Sequence, residues 1–404
     1  MRKKWRVCGI LSAAIVTCAV VLVVLGSPVL SKRQAPPPPP RPEEPKSTKI
    51  TLAAAGDLLM HLQVVYSDYD PKTGTFDFGP VFAPVAPYLK SADYTVANLE
   101  TRLAGASRGY HGYPLFNTPE NLARDVLEAG IDLVATANNH SLDMGWDGIV
   151  TTLDNLDAAG LAHVGTSRSE AEKDKPFVVD VRGIRLGFVN YTDSTNGLPL
   201  PWGKEFAVNV LDTDAVVAAI QAVRREGADL VVAVLHMGNE YQRFSDEAQR
   251  ILATHLFVYG ADVVAGSHPH VVQPIEKVVV ERDGAKRICV AAYSLGNFIS
   301  AQDWRYSDSG IVMYLDIEKS AAGTFIRGVR YLPVWVQTGY AGGRERYRVL
   351  PIHPAMDPVT DIPITPKHRA RMTQVWEELS AHLENISADI LPYKPNAAKA
   401  ATFF

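Results

Sequence analysis

Ala137-Asn138-Asn139-His140-Ser141-Leu142-Asp143 and, far along the chain, Gly266-Ser267-His268-Pro269-His270 are the stretches that decide the fold. Each follows an apolar run, Ile131-Asp132-Leu133-Val134-Ala135-Thr136 in the first case and Asp262-Val263-Val264-Ala265 in the second. Short β-branched runs bounded by turn-forming residues read as buried strands, so both polar clusters sit where a strand ends. Asn-His and His-x-His combine neutral imidazoles with an amide oxygen. That donor set suits a borderline divalent cation such as Zn, Mn or Fe.

The same pattern repeats outward from these stretches. A strand over 50–55 ends in Gly56-Asp57, one over 93–97 in Asn98-Leu99-Glu100, and one over 230–235 in His236-Met237-Gly238-Asn239-Glu240-Tyr241. Residues 177–181 and 186–190 read as further strands. Helical spacing predicts helices over 119–129, with Thr118 as N-cap, over 146–159, closed by Gly160, and over 245–259, opening at Ser245. Runs at 271–280 and 287–293 flank Glu281-Arg282-Asp283-Gly284, a hairpin by its turn chemistry, and lead to Ser294-Leu295-Gly296-Asn297-Phe298. Residues 311–317 and 325–336 add antiparallel strands, and a last helix covers 367–383. Strands alternating with helices define an α/β fold.

Taken singly, each polar residue here has an ordinary explanation: an Asp caps a turn, an Asn tolerates a left-handed bend. Jointly they do not. Asp57, Glu100, Asn139, His236, His268 and His270 all follow closely on predicted strands, and in open α/β sheets such ends converge on one crevice. The reading is a metal site. Two divalent cations there would exceed the charge of Asp57 and Glu100 and draw in anions, while His140 stands ready to protonate a leaving oxygen.

Composition narrows the class. The 404 residues are 47% hydrophobic and 21% charged, a globular composition. The net charge of -4, with no run of Lys and Arg interleaved with aromatics, argues against a nucleic-acid partner. Cys8 and Cys18 lie in an N-terminal apolar segment and Cys289 stands alone in the globular part, which leaves it a buried thiol.

Arg2, Lys3, Lys4 and Arg6 precede an uncharged stretch from Val7 to Gly26, roughly the 20 residues a membrane-spanning helix needs. The positive-inside rule then predicts a cytoplasmic N-terminus, with everything after Ser27 outside the cell. Secretion after signal-peptide cleavage is the competing reading. The expected organisation is a stub and anchor over 1–30, a Pro-rich spacer over 31–48, an α/β domain carrying the metal-site residues over 49–350 and a C-terminal extension with a helix over 351–404.

Gly56-Asp57, Asn98-Leu99-Glu100, Asn138-Asn139-His140 with Asp143 and Gly145, His236-x-Gly238-x-Glu240-Tyr241, Gly266-x-His268-Pro269-His270-x-x-Gln273-Pro274 and Ser294-Leu295-Gly296-Asn297-Phe298 together resemble the bacterial CapA family. These are poly-γ-glutamate capsule synthesis proteins related to calcineurin-like metallophosphoesterases, and the resemblance runs from about residue 49 to 300. It implies a four-layer α/β/β/α metallophosphoesterase-like sandwich preceded by one transmembrane helix. It implies a membrane-anchored extracytoplasmic protein working with capsule-synthesis membrane subunits on an anionic polyglutamate. It also implies two divalent metal ions, Asp57 and His270 on one, Asn139, His236 and His268 on the other, and Glu100 bridging. His140 would be the proton donor, and Asn138, Glu240 and Asn297, from the same motifs, substrate contacts.

Three departures from the phosphoesterase pattern accompany the resemblance. Its Asp-x-His is widened to Asp57-Leu58-Leu59-Met60-His61, its bridging Asp is Glu100, and Ser141 stands where a Glu is usual. A metal-dependent phosphoesterase acting on a cell-envelope phosphate ester and a purely structural anchor are the alternatives to the capsule reading. Trp304, Arg305, Tyr306, Arg108 and Tyr110 are candidates for lining a groove for an anionic polymer.

Overall fold

The computed structural model describes residues 47–394 except 283, 386 and 388. The expected membrane anchor and the spacer up to residue 46 lie outside the described residues. No helix among the described residues is long and apolar enough to cross a membrane.

Strand alternation builds the layers. In Thr48–Leu58, the side chains of Ile50, Leu52 and Ala54 enter one core while Ala53 and Ala55 enter another, the consequence of a side-chain period of two. The first set joins Val96, Leu133 and Ala135 from neighbouring strands and faces Leu186, Phe188, Val232, Val234 and Ala265 of a second sheet. The second set packs with Val126, Ile149, Leu153 and Leu156 of helices Leu122–Ala129 and Gly145–Ala159. On the outer face of the second sheet, Val189, Val231, Ala233 and Val264 meet Val216, Ile220, Leu252 and Leu256 of helices Thr213–Arg225 and Glu247–Val258. Each fully buried Val, Leu, Ile or Phe among these contributes about 1.5–3 kcal/mol.

Among the described residues, the first sheet has the order Arg344–Pro351, Gly323–Ala341, Ser309–Ser320, Thr48–Leu58, Tyr94–Leu99, Leu133–Ala135, Ala162–Val164. The last four of these strands are mutually parallel. The second sheet has the order Ile275–Arg282, Ala285–Ala292, Val263–Ser267, Leu230–His236, Ile184–Thr192, Phe177–Val181, with parallel pairing everywhere except at its two antiparallel edges. The fold is mixed α/β, as the alternation of runs implies.

Several boundaries differ from the sequence expectation. The helix expected from residue 119 begins at Leu122, because the Thr118 hydroxyl pairs with Thr101 Oγ1 at 2.8 Å and does not cap. The helix expected to open at Ser245 is capped by Asp246: its carboxylate accepts Gln249 N at 2.8 Å, and Gln249 Oε1 accepts Asp246 N at 3.0 Å. Helix Thr213–Arg225 was not anticipated, although Asp212 caps it and Val216, Ile220 and Val223 mark its buried face. The C-terminal helix Pro366–Glu384 places Val375, Leu379 and Leu383 in the core between the sheets.

Candidate metal centre

Asp57 reaches the crevice through a break in strand register. Pairing between Thr48–Leu58 and Tyr94–Leu99 slips between Ala55 and Asp57, and such a bulge re-aims the side chain that follows. Gly56 makes this possible: a Cβ there would lie 1.8 Å from the Gly296 carbonyl oxygen. Asp57 N donates to that same oxygen at 3.0 Å, which brings the loop carrying Asn297 against the strand.

Glu100, one residue past Tyr94–Leu99, is fully buried, as are Asp57 and His236, the last residue of Leu230–His236. His268 and His270 follow Val263–Ser267, both with left-handed backbone, φ 97° and 58°. Asn139 lies in the turn after Leu133–Ala135. The six residues meet. Among the described residues, Glu100, His236 and His268 form one group, and Asp57, Glu100 and His270 a second, with one ligand atom from each residue within 4.8 Å of the others. Asn139 Oδ1 faces His236 Nε2 at 2.9 Å, and its Nδ2 donates to Asn196 Oδ1 at 3.2 Å.

The residues fit a cation. Glu100 Oε1 is buried without a hydrogen-bond partner, 3.5 Å from His236 Nε2 and 3.8 Å from His270 Nε2, and His268 Nδ1 is likewise unpartnered. Burial, reinforced by the neighbouring Asp57 charge, pushes the Glu100 carboxyl well above the usual carboxylate range. Burial holds His236 well below the ordinary imidazole value, with the other histidines adding to the effect, and lowers His268 in the same way. Neutral imidazoles are the form that ligates a metal, and leaving a buried acceptor unmatched costs about 1–3 kcal/mol. A divalent cation removes both penalties. Ser267 Oγ, 2.9 Å from His236 Nδ1, orients that ring from behind, and Asp57 Oδ2 lies 3.1 Å from His270 Nδ1.

His140 stands beside this cluster. Its Nδ1 meets Asp143 Oδ2 at 2.8 Å, and the same oxygen accepts Phe116 N at 2.7 Å. The Phe116 ring packs edge-on to the His140 ring, with centroids 4.7 Å apart. Asn138 shapes the turn, donating to Leu99 O at 2.8 Å and accepting His140 N at 3.2 Å. Asn297 Oδ1 faces His270 Nδ1 at 3.1 Å. Glu240 is exposed at the rim. His61 joins neither group; its Nδ1 accepts Ala301 N at 3.3 Å. Arg108 pairs with Asp147, Arg305 with Glu378, and Tyr110 packs against Phe76, so these three find their partners outside the cluster.

Sequence reasoning missed the residue that ties the ligands together. Asn98 Nδ2 donates to Asp57 Oδ1 at 2.8 Å and Glu100 Oε2 at 3.1 Å, and lies 3.2 Å from His236 Nδ1. The signal was present: residues 98 and 100 are two apart at a strand end and share a face. Arg102 was also missed. It is fully buried, donates to Leu99 O at 2.9 Å, and places a cation near Asp143 and Glu100, although burial lowers it to about 10. Asn190 clamps the turn from the second sheet, accepting Ala137 N at 2.7 Å and donating to Ala137 O at 3.2 Å.

The fold and site thus define a mixed α/β protein with a buried carboxylate-histidine cluster at its strand ends. The profile of the family described as bacterial capsule synthesis protein PGA_cap matches residues 51–302, and the chain belongs to that family. The candidate metal, catalytic and substrate residues, from Asp57 to Asn297, fall within the match, and the groove candidates Trp304, Arg305 and Tyr306 lie just beyond it. The capsule biosynthesis protein CapA of Bacillus anthracis is 29% identical over 283 residues, 67% of this chain and 64% of that protein. The PGA biosynthesis protein CapA of Bacillus subtilis strain 168 is 31% identical over 264 residues, 61% of this chain and 63% of that protein. The chain therefore spans just under two thirds of the length of either relative. Among solved structures, the calcineurin-like phosphoesterase YfkN of Bacillus subtilis superimposes with a TM-score of 0.42 and 16% identity, covering 84% of this chain and 99% of that one. The NAD nucleotidase of Haemophilus influenzae gives 0.46 and 11%, covering 88% and 66%.

Proposed function

We propose that this chain is a membrane-anchored, extracytoplasmic protein of poly-γ-glutamate capsule synthesis or export, with two divalent ions (Mn, Zn or Fe) held at the ends of its two sheets. On this reading its layers are the four-layer α/β/β/α sandwich of the metallophosphoesterases, and its partners are capsule-synthesis membrane subunits and the anionic polymer. The observation that carries the proposal is Glu100, which belongs to both ligand groups and whose unpartnered oxygen lies between His236 and His270, 3.5 and 3.8 Å from their Nε2 atoms. The family match supports the capsule role.

Asp57 and His270 would hold one ion, Asn139, His236 and His268 the other, with Glu100 shared. When bound, the ion pair supplies positive charge that attracts and polarises an oxyanion. Four positive charges against two carboxylates leave a surplus suited to a polymer of carboxylates or to a phosphoryl group. Arg102, pinned to the Leu99 carbonyl, fixes the strand end that presents Glu100. Asp143 holds the Nδ1 side of His140, which leaves Nε2 as the ring nitrogen available for proton transfer.

That dyad favours a second reading, a metal-dependent phosphoesterase acting on a cell-envelope phosphate ester. The basic residues 2–6 and the apolar run behind them support a cell-membrane location, with secretion after cleavage the alternative. The test uses full-length protein reconstituted with Mn or Zn, assayed for metal content, for binding of γ-linked polyglutamate and for hydrolysis of an aryl phosphate. Metal-dependent polymer binding without turnover is the expected result. Hydrolysis abolished by His140→Ala with metal retained would transfer the assignment to the phosphoesterase. Absence of bound metal after reconstitution sinks both.

A further inference from the structure

We infer that the Tyr241 hydroxyl is the protein's own hydrogen-bond donor to an oxyanion, phosphoryl or carboxylate, bound at the cluster; this rests on the dimetal reading above. Tyr241 has φ 63°, a left-handed conformation that a bulky side chain avoids. Its N–H, donated to Pro269 O at 2.8 Å, holds the backbone there, one residue from His270. The phenol ring stands 6.1 Å from the His270 ring, centroid to centroid, and Tyr241 is 43% exposed, open to an incoming ligand. Strain of this kind gathers at ligand sites.

The direction of the hydroxyl proton follows from the amides behind it. Asn297 Nδ2 spends its two hydrogens on Ser307 O at 2.8 Å and Gln302 Oε1 at 2.9 Å. Gln302 must therefore turn its Nε2 outward, and that nitrogen donates to Tyr241 Oη at 3.2 Å. A phenol that accepts at its oxygen keeps its own proton for another acceptor, and no acceptor for it is found among the described residues. The relay begins at the cluster, since Asn297 Oδ1 faces His270 Nδ1 at 3.1 Å. Asn297 and Gln302 thus fix the polarity of the hydroxyl, and Tyr241 delivers a directed hydrogen bond beside ions that attract the anion without orienting it.

The experiment uses the full chain loaded with Mn and titrates two probes, inorganic phosphate and a γ-linked glutamate oligomer, by calorimetry. Tyr241→Phe keeps the ring and removes the donor. Gln302→Glu replaces the donating amide by a carboxylate that captures the phenol proton. Because a hydrogen bond to a charged group contributes strongly, each variant is expected to bind about tenfold more weakly or worse, with Mn content and melting temperature unchanged. Weakening for phosphate alone assigns a phosphoryl ligand, and weakening for the oligomer alone assigns a carboxylate. Binding of both probes by both variants within about twofold of the parent overturns the assignment and leaves the metal reading standing. A loaded parent that binds neither probe overturns the oxyanion-site reading and this assignment with it.

Discussion

Asn98 and Asp57 are opposite partners on adjacent parallel strands, and the Asn98 amide donates to Asp57 Oδ1 at 2.8 Å while also reaching Glu100 Oε2 at 3.1 Å. Two buried carboxylates are held together by one neutral donor. Asn98→Asp exchanges that donor for a further carboxylate against Asp57, a like-charge repulsion of about 2–4 kcal/mol at the effective dielectric of a protein interior. In chelator, the variant is expected to melt several degrees below the parent. Added Mn should raise its melting temperature by more than it raises that of the parent, because the extra carboxylate becomes a potential ligand. Equal melting curves in chelator would show that Asn98 does not hold the carboxylates together.

A methyl group at residue 56 tests how the strand end is built. Its Cβ would sit 1.8 Å from the Gly296 carbonyl oxygen, which accepts Asp57 N at 3.0 Å. Gly56→Ala must push that loop away, break the bond and displace Asn297. Overpacking of this kind costs on the order of 3 kcal/mol. Chemical denaturation should show a loss of that size, with metal content falling in parallel. A variant as stable as the parent would mean that the two backbones do not need this contact.

The site was legible in sequence because its ligands lie at strand ends. Each of Asp57, Glu100, Asn139, His236, His268 and His270 follows an apolar run, and parallel strands carry such residues to one edge. What supports them was not legible in the same way. Asn190 acts through the backbone of Ala137, and no local pattern announces a partner 53 residues away; Arg102 turns back onto the Leu99 carbonyl three residues before it, where the sequence alone reads as an ordinary charged loop residue. Helix Thr213–Arg225 carries a capping Asp212 and the Val216, Ile220, Val223 spacing, but Ala215, Ala218, Ala219 and Ala222 around that stripe blur its helical period. The N-cap expected at Thr118 failed for a tertiary reason, the competing Thr101 hydroxyl.

His382 predicts a pH dependence independent of the metal. It is 8% exposed in helix Pro366–Glu384, its Nε2 has no partner, and burial, aided by Arg243, holds it down to about 4 from an ordinary 6.5. The unfolded chain therefore binds a proton that the folded protein refuses between these values. Stability contributed by the neutral ring is complete above 6.5 and is lost as pH falls toward about 4. At 1.36 kcal/mol per pKa unit the loss is of order 3 kcal/mol. His382→Phe, which also suits the neighbouring Phe244 ring, should flatten that part of the pH-stability curve. Denaturation midpoints for parent and variant between pH 4 and 7 check it, and parallel curves would count against a buried neutral His382.

Glu100 offers the sharpest test of the cluster, because the two ligand groups share it while His268 belongs to one of them only. Glu100→Gln keeps the shape and removes the charge. Burial and Asp57 already push Glu100 toward its neutral form when no cation is present, so the variant should fold in chelator at least as well as the parent. It should nevertheless lose both ions, whereas His268→Ala should lose one. Elemental analysis after Mn reconstitution is expected to give about two ions for the parent, about one for His268→Ala and well below one for Glu100→Gln. Binding at one hundred times the dissociation constant stabilises a protein by about 2.7 kcal/mol. The Mn-dependent rise in melting temperature should therefore be largest for the parent, smaller for His268→Ala and absent for Glu100→Gln. One ion retained by Glu100→Gln would show that the carboxylate serves a single metal and does not bridge.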